Sequence, residues 1–286
     1  MAEKKLPAQK QMTGMLGHPV AGNPIDRMFD AVYAHYGLNW TFWKSDVRSA
    51  DELGTAMAGA QALGYAGYAI TVPYKIEAVR HLDDFDEDVR IMGATNYVTI
   101  EDGRFVGHQN DGKGLVKAIS QVTDIAGQRL VMLGSGGSGR AMAVEVARAG
   151  ASGVTIISRN ETTGREVAAI VERGTGVPAT WQEWRGEARI PQGTGIVLNA
   201  TPLGSFPELD MVPIDIESLT SSMTVADVIT NPRITPLLAA AAARGCAIVD
   251  GVEMLVNLAC QIFTAWTGID PDPEVFRIAV ARALAE

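Results

Sequence analysis

Apolar and polar positions between residues 12 and 111 follow a repeating order. Short apolar runs alternate with amphipathic stretches: MTGMLG, a helical pattern over 24–37, WTFWKS, a second helical pattern over 50–63, then YAITVP. This β-α-β-α-β order predicts a mainly parallel sheet with helical crossovers. In NYVTIEDGRFVGH, two alternating runs flank Asp102-Gly103, a pair suited to left-handed turn geometry, so the segment reads as a hairpin. Farther on, RLVML (129–133) is a compact apolar strand that runs directly into GSGGSGRAMAVEVARAG, a glycine-rich turn opening an alanine-rich helix. VTIIS (154–158), TGIVLNA, MTVADVI and CAIVD continue the alternation of a doubly wound sheet.

The pattern therefore predicts an α/β protein of two domains. Residues 1–111 form the first, 112–250 the second, and helices over 251–286 return to the first. Met254, Leu255, Leu258, Ile262, Phe263 and Trp266 recur at helical spacing, and Asp272-Pro273-Glu274 suits the cap of a final helix. A length of 286 residues fits two cores.

Composition narrows the function. With 47% hydrophobic and 20% charged residues the chain can bury a large interior, which excludes a disordered or fibrous class. A net charge of −9 argues against nucleic acid or an anionic membrane as partner, while leaving room for a local basic pocket. Cys246 and Cys260 lack C-x-x-C spacing, so neither a disulfide framework nor a thiolate metal site is expected, and a reducing cytoplasm fits. His18, His35, His81 and His108 lack metal-ligand spacing. MAEKKLPAQKQM has lysines without a following apolar core and reads as a loose tail rather than a signal or anchor. The apolar stretch from Leu237 to Ala243 meets Arg244 well short of the roughly 20 residues that span a bilayer.

Gly134, Gly136 and Gly139 satisfy G-x-G-x-x-G, weak as a bare pattern and strong between a strand and a helix. The whole turn, Gly134, Ser135, Gly136, Gly137, Ser138 and Gly139, is expected to cradle a dinucleotide pyrophosphate at a helix N-terminus. About 20 positions later, NAD-specific folds place an acid on the ribose hydroxyls. Here the strand ends Ser158-Arg159-Asn160, so Arg159, with Arg165 as a second candidate, is expected to hold a 2′-phosphate. NADP is the expected cofactor; Glu161 lies near enough to keep NAD open.

Two polar segments leave the first domain's strands: Thr71-Val72-Pro73-Tyr74-Lys75 and Asn110-Asp111-Gly112. Oxidising a secondary alcohol by hydride transfer needs a group to take the hydroxyl proton, and a lysine with a carboxylate can do so near neutral pH. Taken singly, Lys75 and Asp111 each read as a surface charge rather than a catalytic group.

Assembled, AITVPYK, GATN, NDGKG, GSGGSGRA, NATPLG, DVITNPRITPLL, GVEML and FTAWTG resemble the shikimate dehydrogenase family in order and spacing from about residue 12 to 268. The resemblance implies that Lys75 and Asp111 are the catalytic pair and that Thr71 and Asn96 hold substrate hydroxyls. It also implies that Asn199 and Thr201 of NATPLG and Gly251 of GVEML line the nucleotide. The implied fold is a discontinuous substrate domain closing on a Rossmann domain, in a monomer or homodimer. The implied reaction is reversible oxidation of a ring hydroxyl of shikimate to 3-dehydroshikimate in cytoplasmic aromatic amino acid (chorismate) biosynthesis.

Departures from the family concentrate on substrate recognition. Where members carry His-Ser-x-Ser-Pro, whose serines bind the substrate carboxylate, this chain has Gly22-Asn23-Pro24-Ile25-Asp26. Thr230 replaces a tyrosine, Leu258 a glutamine, and Gln109-Asn110 the usual pair before the aspartate. Asn23 and His18 remain as candidate substrate contacts. Losing polar partners alters discrimination steeply, so a paralogue acting on quinate or another polyol is the alternative. A non-catalytic NAD(P)-binding regulator is a competing class, against which the retention of Lys75, Thr71, Asn96 and Asp111 speaks.

Overall fold

The computed structural model describes residues 9–205 and 208–285. Of the expected N-terminal tail, residues 1–8 lie outside the described part, and Gln11 and Met12 already belong to a strand. The elements in order are β1 (Gln11–Gly17), α1 (Ile25–His35), β2 (Trp40–Asp46), α2 (Ala50–Ala62), β3 (Tyr65–Ile70), β4 (Asp84–Phe85), α3 (Glu87–Met92), β5 (Tyr97–Glu101), β6 (Arg104–His108) and α4 (Asp111–Ser120). Then come β7 (Arg129–Leu133), α5 (Gly137–Arg148), β8 (Gly153–Ser158), α6 (Glu161–Thr175), β9 (Ala179–Glu183), β10 (Ile196–Asn199), β11 (Thr224–Asp227), α7 (Pro236–Ala243), β12 (Ala247–Val249), α8 (Gly251–Thr267) and α9 (Pro273–Ala285). Among the described residues, no helix is long and apolar enough to cross a membrane.

The chain divides into two compact units. The first holds residues up to Phe85, Thr95–His108 and Ile262–Glu286; the second holds Asp86–Ala94 and Gln109–Gln261. Segments 86–94, 109–111 and 251–261, read above with the first domain, group with the second unit.

In the first unit the sheet runs β2-β1-β3-β5-β6-β4. β1 pairs in parallel with β2 and β3, as the β-α-β-α-β order dictates, and β5 and β6 add the antiparallel hairpin. Its turn is left-handed at both Asp102 (φ 50°) and Gly103 (φ 75°), the geometry that matches strand twist in a two-residue loop. From Ile262 onward the C-terminal helices do return: Phe263 and Trp266 of α8 and Phe276 of α9 pack on Phe29 and Tyr33 of α1 with centroids 5.5–5.7 Å apart, and Phe263 meets Phe276 at 5.8 Å. Trp266 also donates its indole N–H to the Val98 carbonyl across Gly67, where a side chain would collide with the indole.

The second unit is the doubly wound sheet, in the order β12-β11-β10-β7-β8-β9 with parallel neighbours throughout. β9 was absent from the hydrophobic pattern, because this edge strand, ATWQE, buries little beyond Ala179. Segment 86–94 belongs here because charges bind it. Asp88 meets Arg148 of α5 and Lys113 of α4, each at 2.5 Å. Burial opposes its ionisation, yet hydrogen bonds and charge from Lys113 and Arg148 hold its carboxyl below the usual range. Buried Arg140 donates to the Met92 carbonyl at 3.1 Å. Gly112 is needed for the α4 to α5 approach, since a Cβ there would sit 2.3 Å from the Ala141 carbonyl.

Candidate active site

The chain order reverses direction between β7 and β10, the switch point where open α/β sheets bind ligands at their carboxyl ends. Two turns emerge there, 134–139 after β7 and 200–204 after β10. Gly134 has φ 100° and would place a Cβ 2.8 Å from the Ala200 carbonyl; Gly139 would place one 3.2 Å from the Gly134 carbonyl. Both glycines are thus explained by the protein's own packing. Gly136 is not: a Cβ there meets nothing within 4 Å. The open space beside Gly136, at the uncapped N-terminus of α5, fits the close backbone approach of a pyrophosphate to helix amides. Ser135 Oγ is tied to Thr163 Oγ1 at 2.7 Å, which joins this turn to α6.

Asn199 and Asp227 close the far side. They are opposed in register at the ends of β10 and β11, and both are buried. Asn199 Oδ1 accepts from the Thr201 amide (3.1 Å) and hydroxyl (2.7 Å), while its Nδ2 donates to the Leu203 carbonyl and to Asp227. Gly251 lies against the neighbouring backbone, where a Cβ would be 2.4 Å from the Ile229 carbonyl. Asp227, overlooked in the sequence, also accepts from Thr235 Oγ1 (2.8 Å) and the Ile229 amide (3.1 Å). An acid ending an otherwise apolar strand, MTVAD, was the available signal.

Burial pushes the Asp227 carboxyl up to about 6, against the lowering effect of these donors. A carboxyl whose native value exceeds its unfolded value favours folding while protonated, so this contribution is lost as pH rises from about 4 through 6. Between pH 4 and 7, wild-type unfolding free energy should therefore drop by up to about 3 kcal/mol more than that of Asp227→Asn. Parallel pH profiles in denaturant titrations for the two proteins would refute this.

Arg159 is exposed at the end of β8 and lines a cavity of about 700 Å³ with Trp184, Leu203, Met211, Val212 and Pro213. It is the one base among the described lining residues. Arg165 faces a different depression, its guanidinium 4.8 Å over the Trp181 ring and its Nε 2.7 Å from Glu161. The structure thus separates the two arginines and engages Glu161 with Arg165. Ser158 is buried, its hydroxyl accepting from Trp181 Nε1 (3.1 Å) and donating to the Asn160 carbonyl (3.0 Å).

In the first unit, four candidates gather at one end of the sheet. The Thr71 amide donates to the Leu16 carbonyl, the His18 amide to the Val72 carbonyl, the Ile70 amide to the Asn96 carbonyl and the Thr95 amide to the Lys75 carbonyl, all within 2.8–3.0 Å. His18, Thr71, Lys75 and buried Asn96 are thereby brought together. Gly17 permits this, because any Cβ would strike the Thr71 methyl. Asn23 sits at the start of α1, where its Oδ1 accepts from the Ile25 amide (3.1 Å) and its carbonyl from Lys44 Nζ (2.7 Å). Ile25, at the second serine position, is only 5% exposed. His18 Nδ1 lies 2.9 Å from Asp46, and both side chains are exposed.

Asp111 belongs to the second unit, 2% exposed in the first turn of α4, where the helix dipole favours a carboxylate. Its amide donates to Gln109 Oε1 at 2.9 Å, and Asn110 Nδ2 donates to the Leu258 carbonyl at 3.1 Å. The replacement residues at 109 and 110 thus orient the start of α4.

A doubly wound sheet with a dinucleotide turn, in a chain that also holds a second α/β unit, fits the class of pyridine-nucleotide-dependent oxidoreductases. Residues 15–98 match the model of the shikimate dehydrogenase substrate binding domain. The NADP(+) shikimate dehydrogenase of Methanocaldococcus jannaschii is 33% identical over 96% of this chain and 97% of its own. A shikimate dehydrogenase solved with NADP+ superposes with a TM-score of 0.88 at 30% identity, covering 97% of this chain and 96% of that one. The ligand-free 5-ketofructose reductase of Gluconobacter sp. strain CHM43 superposes with a TM-score of 0.86 at 38% identity, covering 96% and 99%. The chain belongs to the shikimate dehydrogenase family.

Proposed function

We propose that this protein is an NADP-dependent oxidoreductase that reversibly interconverts a ring hydroxyl and a ketone on shikimate or a related cyclic hydroxy compound. The observation that carries the reading is the turn at Gly136, open where the protein's own packing needs no glycine. The segments around Gly134–Gly139 and Ala200–Gly204 hold the nucleotide, and Arg159 takes its 2′-phosphate. When bound, NADP supplies the hydride acceptor. Lys75 takes the hydroxyl proton, Asp111 is the carboxylate that supports it, and Thr71 and Asn96 hold substrate hydroxyls. The first unit serves the substrate and the second the nucleotide, in a cytoplasmic enzyme, monomer or homodimer.

A second reading, a substrate without a carboxylate, is favoured by Ile25. Its buried position offers no hydroxyl, and Asn23 has turned its acceptor to the backbone. The relative named for reducing 5-ketofructose, an uncharged polyhydroxy ketone, agrees with that loss. Initial rates with NADPH and NADH against 3-dehydroshikimate, 3-dehydroquinate and 5-ketofructose separate the readings.

Cofactor choice has its own test. A guanidinium bonded to a phosphate is a strong, charge-assisted contact. Arg159→Ala should weaken NADP binding about tenfold or more and leave NAD nearly unchanged. Equal loss of both nucleotides, or a wild-type preference for NAD, would count against the assignment.

A further inference from the structure

We infer that Asp227 is a positioning residue for nucleotide binding, acting through Asn199 and the turn 200–204 without itself reaching the ligand. The inference rests on the nucleotide-binding reading above and concerns how that site keeps its shape.

The turn 200–204 forms one wall of the switch-point crevice, since the Ala200 carbonyl and the Thr201 methyl are the atoms nearest to a side chain built on Gly134. Its backbone carries three hydrogen bonds that fix it: Thr201 N to Asn199 Oδ1, Leu203 N to Thr201 Oγ1, and Asn199 Nδ2 to Leu203 O, at 3.1–3.2 Å. Two of the three depend on the orientation of one amide. An amide can flip, and a flipped Asn199 would present a donor to the Thr201 amide and an acceptor to the Leu203 carbonyl, reversing the pattern. Asp227 forbids the flip. Both its oxygens lie 3.2 Å from Asn199 Nδ2, and a carboxylate only accepts. The carboxylate is itself held by Thr235 Oγ1, which caps α7, and by the Ile229 amide. Asp227 is 1% exposed and Asn199 is wholly buried, so neither side chain is available to a ligand in bulk contact. Their effect on binding is exerted through the turn.

The test is nucleotide titration of the purified full chain, wild type against Asp227→Asn, using NADP+ and NAD+ as probes. Asn at 227 can donate as well as accept, so the Asn199 amide loses the partner that accepts only and is held in its orientation by the turn's own backbone groups alone. Kd for both nucleotides should rise about tenfold, with far-UV circular dichroism unchanged and the KM of the best ketone at saturating NADPH within about twofold. Thr201→Val supplies a second readout should Asp227→Asn fail to fold. It keeps the methyl against Gly134 but removes the hydroxyl that bridges Asn199 and Leu203, and should weaken both nucleotides in the same direction. A folded Asp227→Asn with wild-type Kd overturns the inference, as does wild-type affinity in Thr201→Val when Asp227→Asn does not fold. Failure of the wild type to bind either nucleotide would instead overturn the functional reading.

Discussion

Replacing Lys75 with alanine is expected to lower turnover by about 10²–10⁴-fold, the usual worth of a positioned acid or base, while nucleotide affinity stays within about twofold. The separation follows from where the residue stands. Lys75 is half-buried in the first unit, its backbone fixed by Thr95 and its neighbour Tyr74 anchored through the phenol to the Val47 carbonyl at 2.7 Å. The glycine-rich turn lies wholly in the second unit. A variant with normal turnover on its best substrate would remove Lys75 from the reaction. A variant that lost nucleotide binding in parallel would show the two functions to be less separable than the units suggest.

The second large effect concerns shikimate itself, which should bind weakly rather than react slowly. Two serine hydroxyls on a carboxylate are charge-assisted bonds of about 1.5–3 kcal/mol each, so their absence raises KM by about 10²-fold or more over a serine-bearing family member. Turnover should suffer little, because Lys75 and Asp111 remain. Putting serine back at 23 and 25 should give only a partial gain. Ile25 is a core position, and an unpaired buried hydroxyl there costs stability. A micromolar KM for shikimate with rapid turnover would overturn this, and would mean that His18 or Asn23 has taken over the carboxylate.

Strand and helix periodicity made most of the architecture legible. The strands of the second sheet were visible as apolar runs because parallel strands are buried on both faces, as the fully buried IVLN and TVAD segments are. β9 escaped for the converse reason, a polar edge. Segment 86–94 could not be assigned from its own residues, since what draws it to the second unit is a pair of cations more than twenty positions downstream, Lys113 and Arg148. The same limit applied to the site. Glycines and Arg159 announce themselves locally, but Asp227 acquires its meaning only from the register that sets it opposite Asn199. Arg159 and the second candidate Arg165, six positions apart, line separate depressions in the fold.

The most direct test is consumption of NADPH by the purified protein with 3-dehydroshikimate, 3-dehydroquinate and 5-ketofructose, beside a titration of NADPH binding. The account predicts that at least one ketone is reduced, faster with NADPH than with NADH, and that Lys75→Ala binds NADPH normally yet reduces that ketone poorly. Tight NADPH binding by the wild type with no ketone of the panel reduced would contradict it and leave a protein that senses the nucleotide without using it.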